Sequence, residues 1–470
     1  VKPVSRAIQD LKAAIAVTRF GLGARPGEIS LAAPDPEGWL EGQIAETGGE
    51  MSLADSALSR QRMEAAVQYE ADQKEIQMSG LEAKQLAETL ALLRRKTQAV
   101  TGEDFVDRAV LATRTPQGFR ERWSLFWCNH FSVSAIKLAT AVLCGPYERE
   151  AVRPHVFGRF EDLLASAARH PAMLLYLDQT RSIGPDSPAA IRLRTRTRSA
   201  RDAGLNENLA REILELHTVG VDGGYSQQDV TEFAKCLTGW TVGSANQPGK
   251  VGQFIFREDT HEPGVRTVLG RRYPEAGIDQ GLSVLRDLAA HPATARRLCH
   301  KLAQHFVSET PPAELVRDLV AAWIESEGDL GAVARALIRS PTAWRPAAEK
   351  FKTPYEWLVS SYRAVDRFPS VIGQIAPTLT ALGQRPFYPP SPEGWSDEAA
   401  YWAAPDALIK RMAWAERFSA SVAQQLEPQT VAQGCLGNRL SALTAKTIAR
   451  AGSRTESLAL LFLSPEFQRR

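Results

Sequence analysis

Amide, carboxylate, guanidinium and imidazole groups crowd into one stretch of this chain, GLNENLAREILELHTVGVDGGYSQQDVTEFAKCLTGW, from Gly204 to Trp240. Asn208, Glu212 and Glu215 recur at helical spacing, so they form one polar stripe, with Asn206, Glu207, Arg211 and His217 close by. Carboxylates beside an imidazole suit general acid–base chemistry, a divalent ion or a polar ligand. The same groups also suit a buried hydrogen-bond network that sets helix register. Further candidates lie outside the stretch: His130 in a tryptophan-rich helix, Asp178 at the end of HPAMLLYLD and His261 at a turn. The expected catalytic set is Glu212, Glu215, His217, His261 and His130, with Asn206, Asn208, Arg211 and Asp178 binding. No metal is assigned. Helical di-metal sites use Glu-x-x-His, whereas Glu215 and His217 are two residues apart and leave a helix on different sides. The cofactor is unknown, since no P-loop, G-x-G-x-x-G after a strand, G-x-S-x-G or H-E-x-x-H occurs.

Two helices must position these groups. Leu209, Ile213 and Leu216 give the first its apolar face, Gly220 is placed to stop it, and Asp222-Gly223-Gly224 turns the chain. Ser226 and Asp229 start the second helix. Arg211 and Glu215 are spaced to pair, and Asn208, Glu212 and Glu215 are expected to be buried. The rest of the chain reads as helical. A polar hairpin over 53–98 is broken at Ser79-Gly80. His170-Pro171, His291-Pro292, Ser340-Pro341 and Ser464-Pro465 each read as one helix ending and a capped one beginning. The one strand signal, GQFIFRED then VRTVLGRR around an EPG turn, predicts a β-hairpin over 253–270. The expected fold is therefore mainly α, a single large multi-helix domain over 1–470 with one inserted β-hairpin. A polar pocket is expected between the Gly204–Thr218 helix and that hairpin. His261 would face Glu212 or Glu215 there, with the basic run Arg192, Arg194, Arg196, Arg198 and Arg201 at the mouth. The proline- and aromatic-rich Arg385–Trp402 segment cannot be a helix interior; it reads as a wrap over the core or an aromatic rim for a ligand.

Of 470 residues, 44% are hydrophobic and 23% charged, which is ordinary for a globular protein. A formal charge of +2 gives no global argument for nucleic acid or an anionic membrane. No run approaches the ~18 apolar residues of a spanning helix. Five scattered cysteines form no metal-type spacing and imply no disulfide framework. The opening VKPVSRAIQDLKAAIAVTRFG lacks the apolar core and cleavage site of a signal peptide.

A series of ordered pieces carries a resemblance: Arg19-Phe20-Gly21, RERWSLFWCNHFS at 120–132, HPAMLLYLD at 170–178, NEN…RE…ELHT…GVDGGYSQ, HEPGVRTVLG at 261–270, HPATARRL at 291–298, KTPYEW at 352–357, PFYPPSPEGW and the closing LSPEF. Together they resemble the bacterial domain-of-unknown-function family numbered eighteen hundred, over nearly the whole chain. The resemblance implies no reaction. It does imply a compartment and a partner: relatives often carry export leaders, and are often encoded beside a companion resembling the phosphatase/sulfatase superfamily. Two functions follow as expectations, a hydrolase-like or acid–base enzyme with a carboxylate–histidine pocket, and a non-catalytic binding or assembly partner of such an exported protein. In the family pattern the position of Cys128 is more often histidine, so an essential ligand there would be lost or altered here.

Overall fold

The computed structural model describes residues 3–44, 58–79, 81–196, 204–245, 247 and 249–470. Its principal helices are α1 (Pro3–Ile15), α2 (Ser59–Met78), α3 (Ala83–Arg114), α4 (Gly118–His130), α5 (Phe160–Arg169), α6 (Pro171–Tyr176), α7 (Asn208–Glu212), α8 (Gln227–Leu237), α9 (Ile278–Ala290), α10 (Pro292–Phe306), α11 (Ala313–Glu325), α12 (Leu330–Arg339), α13 (Pro354–Ala364), α14 (Pro405–Val422) and α15 (Arg454–Leu463). The protein is mainly α. None of the described helices is long and apolar enough to cross a membrane.

One contiguous apolar core runs from Ala13 to Phe467. Helices α4 and α10 meet at its centre, where Trp123 stacks on Phe157 at 5.8 Å and touches Phe306 at the same distance. The Trp123 indole N–H is satisfied by the Val156 carbonyl at 2.6 Å, as a buried tryptophan requires. Helix α13 is buried along its whole length and is entered through a capping box formed by Thr353 and Glu356.

The proline junctions follow the capping logic at three of four places. His170 Nδ1 accepts from the Ala172 N–H, His291 Nδ1 from that of Ala293, and Ser464 Oγ from that of Phe467. At the fourth, Ser340 Oγ turns instead to Asp318 and Thr342. The polar helical hairpin is α2 and α3; residues 53–57 and Gly80 of that expectation lie outside the described residues.

The strands differ from expectation. Phe254–Phe256 pairs backwards with Trp240–Val242, and Arg266–Val268 pairs forwards with Arg271–Tyr273, giving two separate antiparallel ladders and no hairpin spanning 253–270. The reason lies between them. After Phe256 the chain enters a tight turn at Glu258–Thr260, and His261 and Glu262 then plunge into the body. There the Thr238 hydroxyl accepts from the Glu262 N–H at 2.8 Å, and Glu262 Oε2 accepts from the Asp186 N–H at 2.7 Å. The second ladder closes through Leu269 and Gly270, both at positive φ (48° and 76°), the two-residue turn that suits twisted strands. Asp229 Oδ1 holds the Leu269 N–H there at 2.7 Å.

Candidate functional site

Helix α10 carries Arg297, Lys301 and His305 four residues apart, which places all three on one face. Across from it, α4 carries Arg122, Phe126 and His130 at the same spacing. The Phe126 ring lies 5.3 Å from the His305 ring and 6.3 Å from that of His130. The proline-rich segment supplies a third wall. Asn129 clamps it: its Oδ1 accepts from the Trp395 N–H at 2.8 Å and its Nδ2 donates to the Trp395 carbonyl at 3.0 Å. Gly394 makes this approach possible, because at φ +88° a Cβ there would stand 2.4 Å from the Asn129 carbonyl oxygen. The walls enclose an open polar cleft of about 300 Å³, bordered by His130, Lys301, His305, Glu393, Asp397 and Tyr401. The segment thus both wraps and rims: Trp402 is buried, while Tyr401 is exposed at the mouth.

Each histidine in the cleft has one nitrogen committed. His130 Nε2 lies 3.2 Å from the His217 carbonyl, which can only accept, so Nε2 carries the hydrogen and Nδ1 keeps its lone pair. That lone pair faces Lys301 Nζ at 3.5 Å. His305 Nδ1 lies 3.3 Å from Asp397 Oδ1, and its Nε2 is buried without a partner among the described residues. Burial lowers both imidazoles below their ordinary value. Lys301 is pulled down to about 8 by burial and by Arg297, against the opposite pull of Glu393 and Asp397. Burial alone would raise Asp397; His305, Lys350 and Arg470 override it and hold the carboxyl at about 2. Lys350 Nζ stands 3.4 Å from Asp397, and Arg470 bridges to Glu356 at 3.0 Å. Arg122 completes this buried network through Glu356 and the Gly21 carbonyl.

Of the residues expected from sequence, His130 and His217 come together, with ring centroids 5.9 Å apart. His217 ends a π-helical turn, Ile213–His217, that drives it inward. Burial, then Arg297 and Lys301, lower its imidazole to about 3, and its Nε2 has no partner among the described residues. Arg297 donates to the Leu216 carbonyl and lies across Gly220, where a Cβ would meet its Cδ at 2.5 Å. Glu212 and Glu215 stay half-buried, with no side-chain hydrogen bond or ion pair among the described residues, and Asn208 is exposed. The stripe is therefore not the buried network expected of it. Burial and Glu215 raise the Glu212 carboxyl. Arg211 pairs with Glu207 at 3.1 Å and Gln227 at 2.8 Å, not with Glu215.

Asp178 is held at φ 56° with Lys137 2.8 Å from its carboxylate, and its carbonyl accepts from Asn206 Nδ2 at 3.1 Å. His261 makes no bond or ion pair with Glu212 or Glu215. It is buried against Phe256, with Nδ1 donating to the Thr238 carbonyl at 2.8 Å. The expected contact there is not made: the ring is turned to the Thr238 carbonyl and Phe256, and its Nε2 is buried without a partner among the described residues. Arg192 and Arg194 pair locally with Asp259 and Asp186; Arg198, Arg201 and the Arg196 side chain lie outside the described residues. Among the described residues no group of three or more His, Cys, Asp or Glu side chains is arranged to hold a metal. Sequence reasoning missed Lys301, His305 and Asp397, although Arg297, within HPATARRL, and Lys301 and His305 just past it sit in plain four-residue spacing.

A family model described as a protein of unknown function, DUF1800, matches residues 15–469. No curated protein and no solved structure matches the chain.

Proposed function

The chain belongs to the DUF1800 family of proteins of unknown function, and from that premise we propose that it is an acid–base enzyme whose carboxylate–histidine pocket is the cleft between α4, α10 and the proline-rich wall. One observation carries the reading: His130 and His305, each with one ring nitrogen committed, border the same open cleft as Lys301. Asp397 and His305 form the carboxylate–histidine pair. The carboxylate orients the ring and stabilises the imidazolium formed when Nε2 takes a proton. His130 and Lys301 form a second proton site, in which the His217 carbonyl sets the tautomer. Desolvation brings Lys301 towards neutrality, to about 8, a shift that suits general acid–base work. Glu212 and Glu215 have no part in this proposal. His217 acts behind His130 as a positioning residue.

The experiment is turnover of chromogenic carboxylic, phosphate and sulfate esters and glycosides by the wild type, His305→Asn and His130→Gln, with unfolding midpoints measured alongside. Expected is at least one substrate class whose turnover falls by roughly 10²–10⁴ in either variant while the midpoint holds. Turnover unchanged in both variants would remove the cleft from the chemistry. An inert chain that binds a phosphatase/sulfatase-like exported protein would favour the assembly-partner reading.

A further inference from the structure

Lys301 is the lysine that borders the cleft, and the carboxylates of the buried network beside it are already paired. Asp397 is paired with Lys350 and His305, and Glu356 with Arg122 and Arg470. Lys301 has no carboxylate within ion-pair distance among the described residues. Among the described residues its polar contact is His130 Nδ1 at 3.5 Å, an atom that can accept a proton. The groups around it are Arg297 on its own helix, His130 on α4, His217 behind that ring, and Glu393 and Asp397 on the proline-rich wall. An amine that is desolvated, beside a second cation and open to a cleft is the arrangement that makes a lysine nucleophilic.

The geometry points to Lys301 as a nucleophile that captures a small polar aldehyde or ketone as a Schiff base, with His130 as its proton acceptor. This rests on the acid–base reading of the same cleft. The Lys301 ammonium first gives one proton to His130 Nδ1. The freed nitrogen lone pair attacks the carbonyl carbon, and the C=O π pair moves to oxygen. A proton passes from nitrogen to that oxygen, giving a carbinolamine. His130 then returns its proton to the hydroxyl, which leaves as water as the nitrogen lone pair closes the C=N bond. The sum is ammonium plus carbonyl giving protonated imine plus water, with no oxidant or reductant consumed. The lowering of Lys301 to about 8 agrees with this. Asn129, Gln304 and Ser391 line the same cleft and offer hydrogen bonds to a substrate bearing hydroxyl or carboxylate groups beside its carbonyl.

Lys352 is a natural control. Burial and Arg122 lower it to about 7, but it is shut in against Phe467 and almost fully buried. The test is to incubate the full chain at pH 7.5 with pyruvate or glycolaldehyde and sodium cyanoborohydride, which reduces an imine to a stable amine, and to locate the adduct by peptide mass spectrometry. Expected is modification of Lys301 at least about ten-fold faster than of exposed Lys84 and Lys446, with Lys352 unmodified. His130→Gln should slow the Lys301 adduct several-fold and leave the surface lysines unchanged. Lys301 reacting no faster than Lys84 in the folded wild type overturns the proposal, even if the cleft turns over another substrate. Rapid trapping in a chain inert towards the ester and glycoside panel keeps it, and removes only the hydrolase-like form of the acid–base reading.

Discussion

Asp397 is the residue on which the cleft's electrostatics turn. Burial opposes its charge, yet His305, Lys350 and Arg470 hold the carboxyl at about 2 against an ordinary 3.8. A carboxyl lowered in the folded state contributes stability that is complete above its unfolded pKa and is lost as pH falls through the folded one. The window is therefore about pH 4 down to 2. Asp397→Asn should cost about 2 kcal/mol at pH 7, and the gap from wild type should shrink below pH 4. Urea unfolding of both proteins at pH 7 and pH 2.5 checks this; an equal gap at both values contradicts it. Glu356 is a harsher case, because it is buried between the guanidinium groups of Arg122 and Arg470. Its removal in Glu356→Ala strands those charges and should cost about 3–5 kcal/mol, well beyond the ~1 kcal/mol of a lost helix cap. Urea unfolding at pH 7 separates the two sizes.

At the scale of elements, the cleft exists because the proline-rich wall is tied to the end of α4. Asn129 makes both ties, and Gly394 permits the approach. Asn129→Ala should cost about 1–3 kcal/mol and speed amide exchange in residues 386–402, read by hydrogen-exchange mass spectrometry. Unchanged exchange there would mean the wall is held by other contacts. Much of this scale was legible in the sequence. Helical spacing and local cap chemistry are written in neighbouring residues, which is why Ser226 with Asp229 and the His-Pro junctions read correctly. Strand partners are not local. The alternation in Gln253–Leu269 marked extended chain but not that Phe254–Phe256 would pair back with Trp240–Val242. The cleft was only partly legible for the same reason. The polar stripe of Asn208, Glu212 and Glu215 is contiguous and conspicuous, whereas the cleft joins His130, Lys301, His305 and Asp397 from three separated segments, one without periodicity. His130 and His217 were legible as chemistry, but what they face is set by tertiary packing.

Across the whole molecule, burial lowers several histidines from their ordinary value: His130, His170, His217 and His305, with His217 at about 3. Below pH 6.5 the unfolded chain binds protons that these folded rings refuse, so stability rises with pH through that range and falls on acidification. His217 alone contributes about 1.4 kcal/mol per pH unit between 6.5 and 3. His217→Gln should make the acid loss of stability measurably shallower, as read by urea unfolding from pH 7 to pH 4; an unaltered slope would mean that His217 protonates freely in the fold. In the proposed function the same burial is what tunes Lys301. The most direct measurement is the pH dependence of Lys301 modification by an amine-selective reagent such as acetic anhydride, followed by peptide mass spectrometry in the native chain. The expected result is a midpoint near 8 for Lys301, against about 10.4 for exposed lysines. A Lys301 midpoint equal to that of the surface lysines, or no modification in the native chain at any pH, would contradict the cleft as an acid–base site.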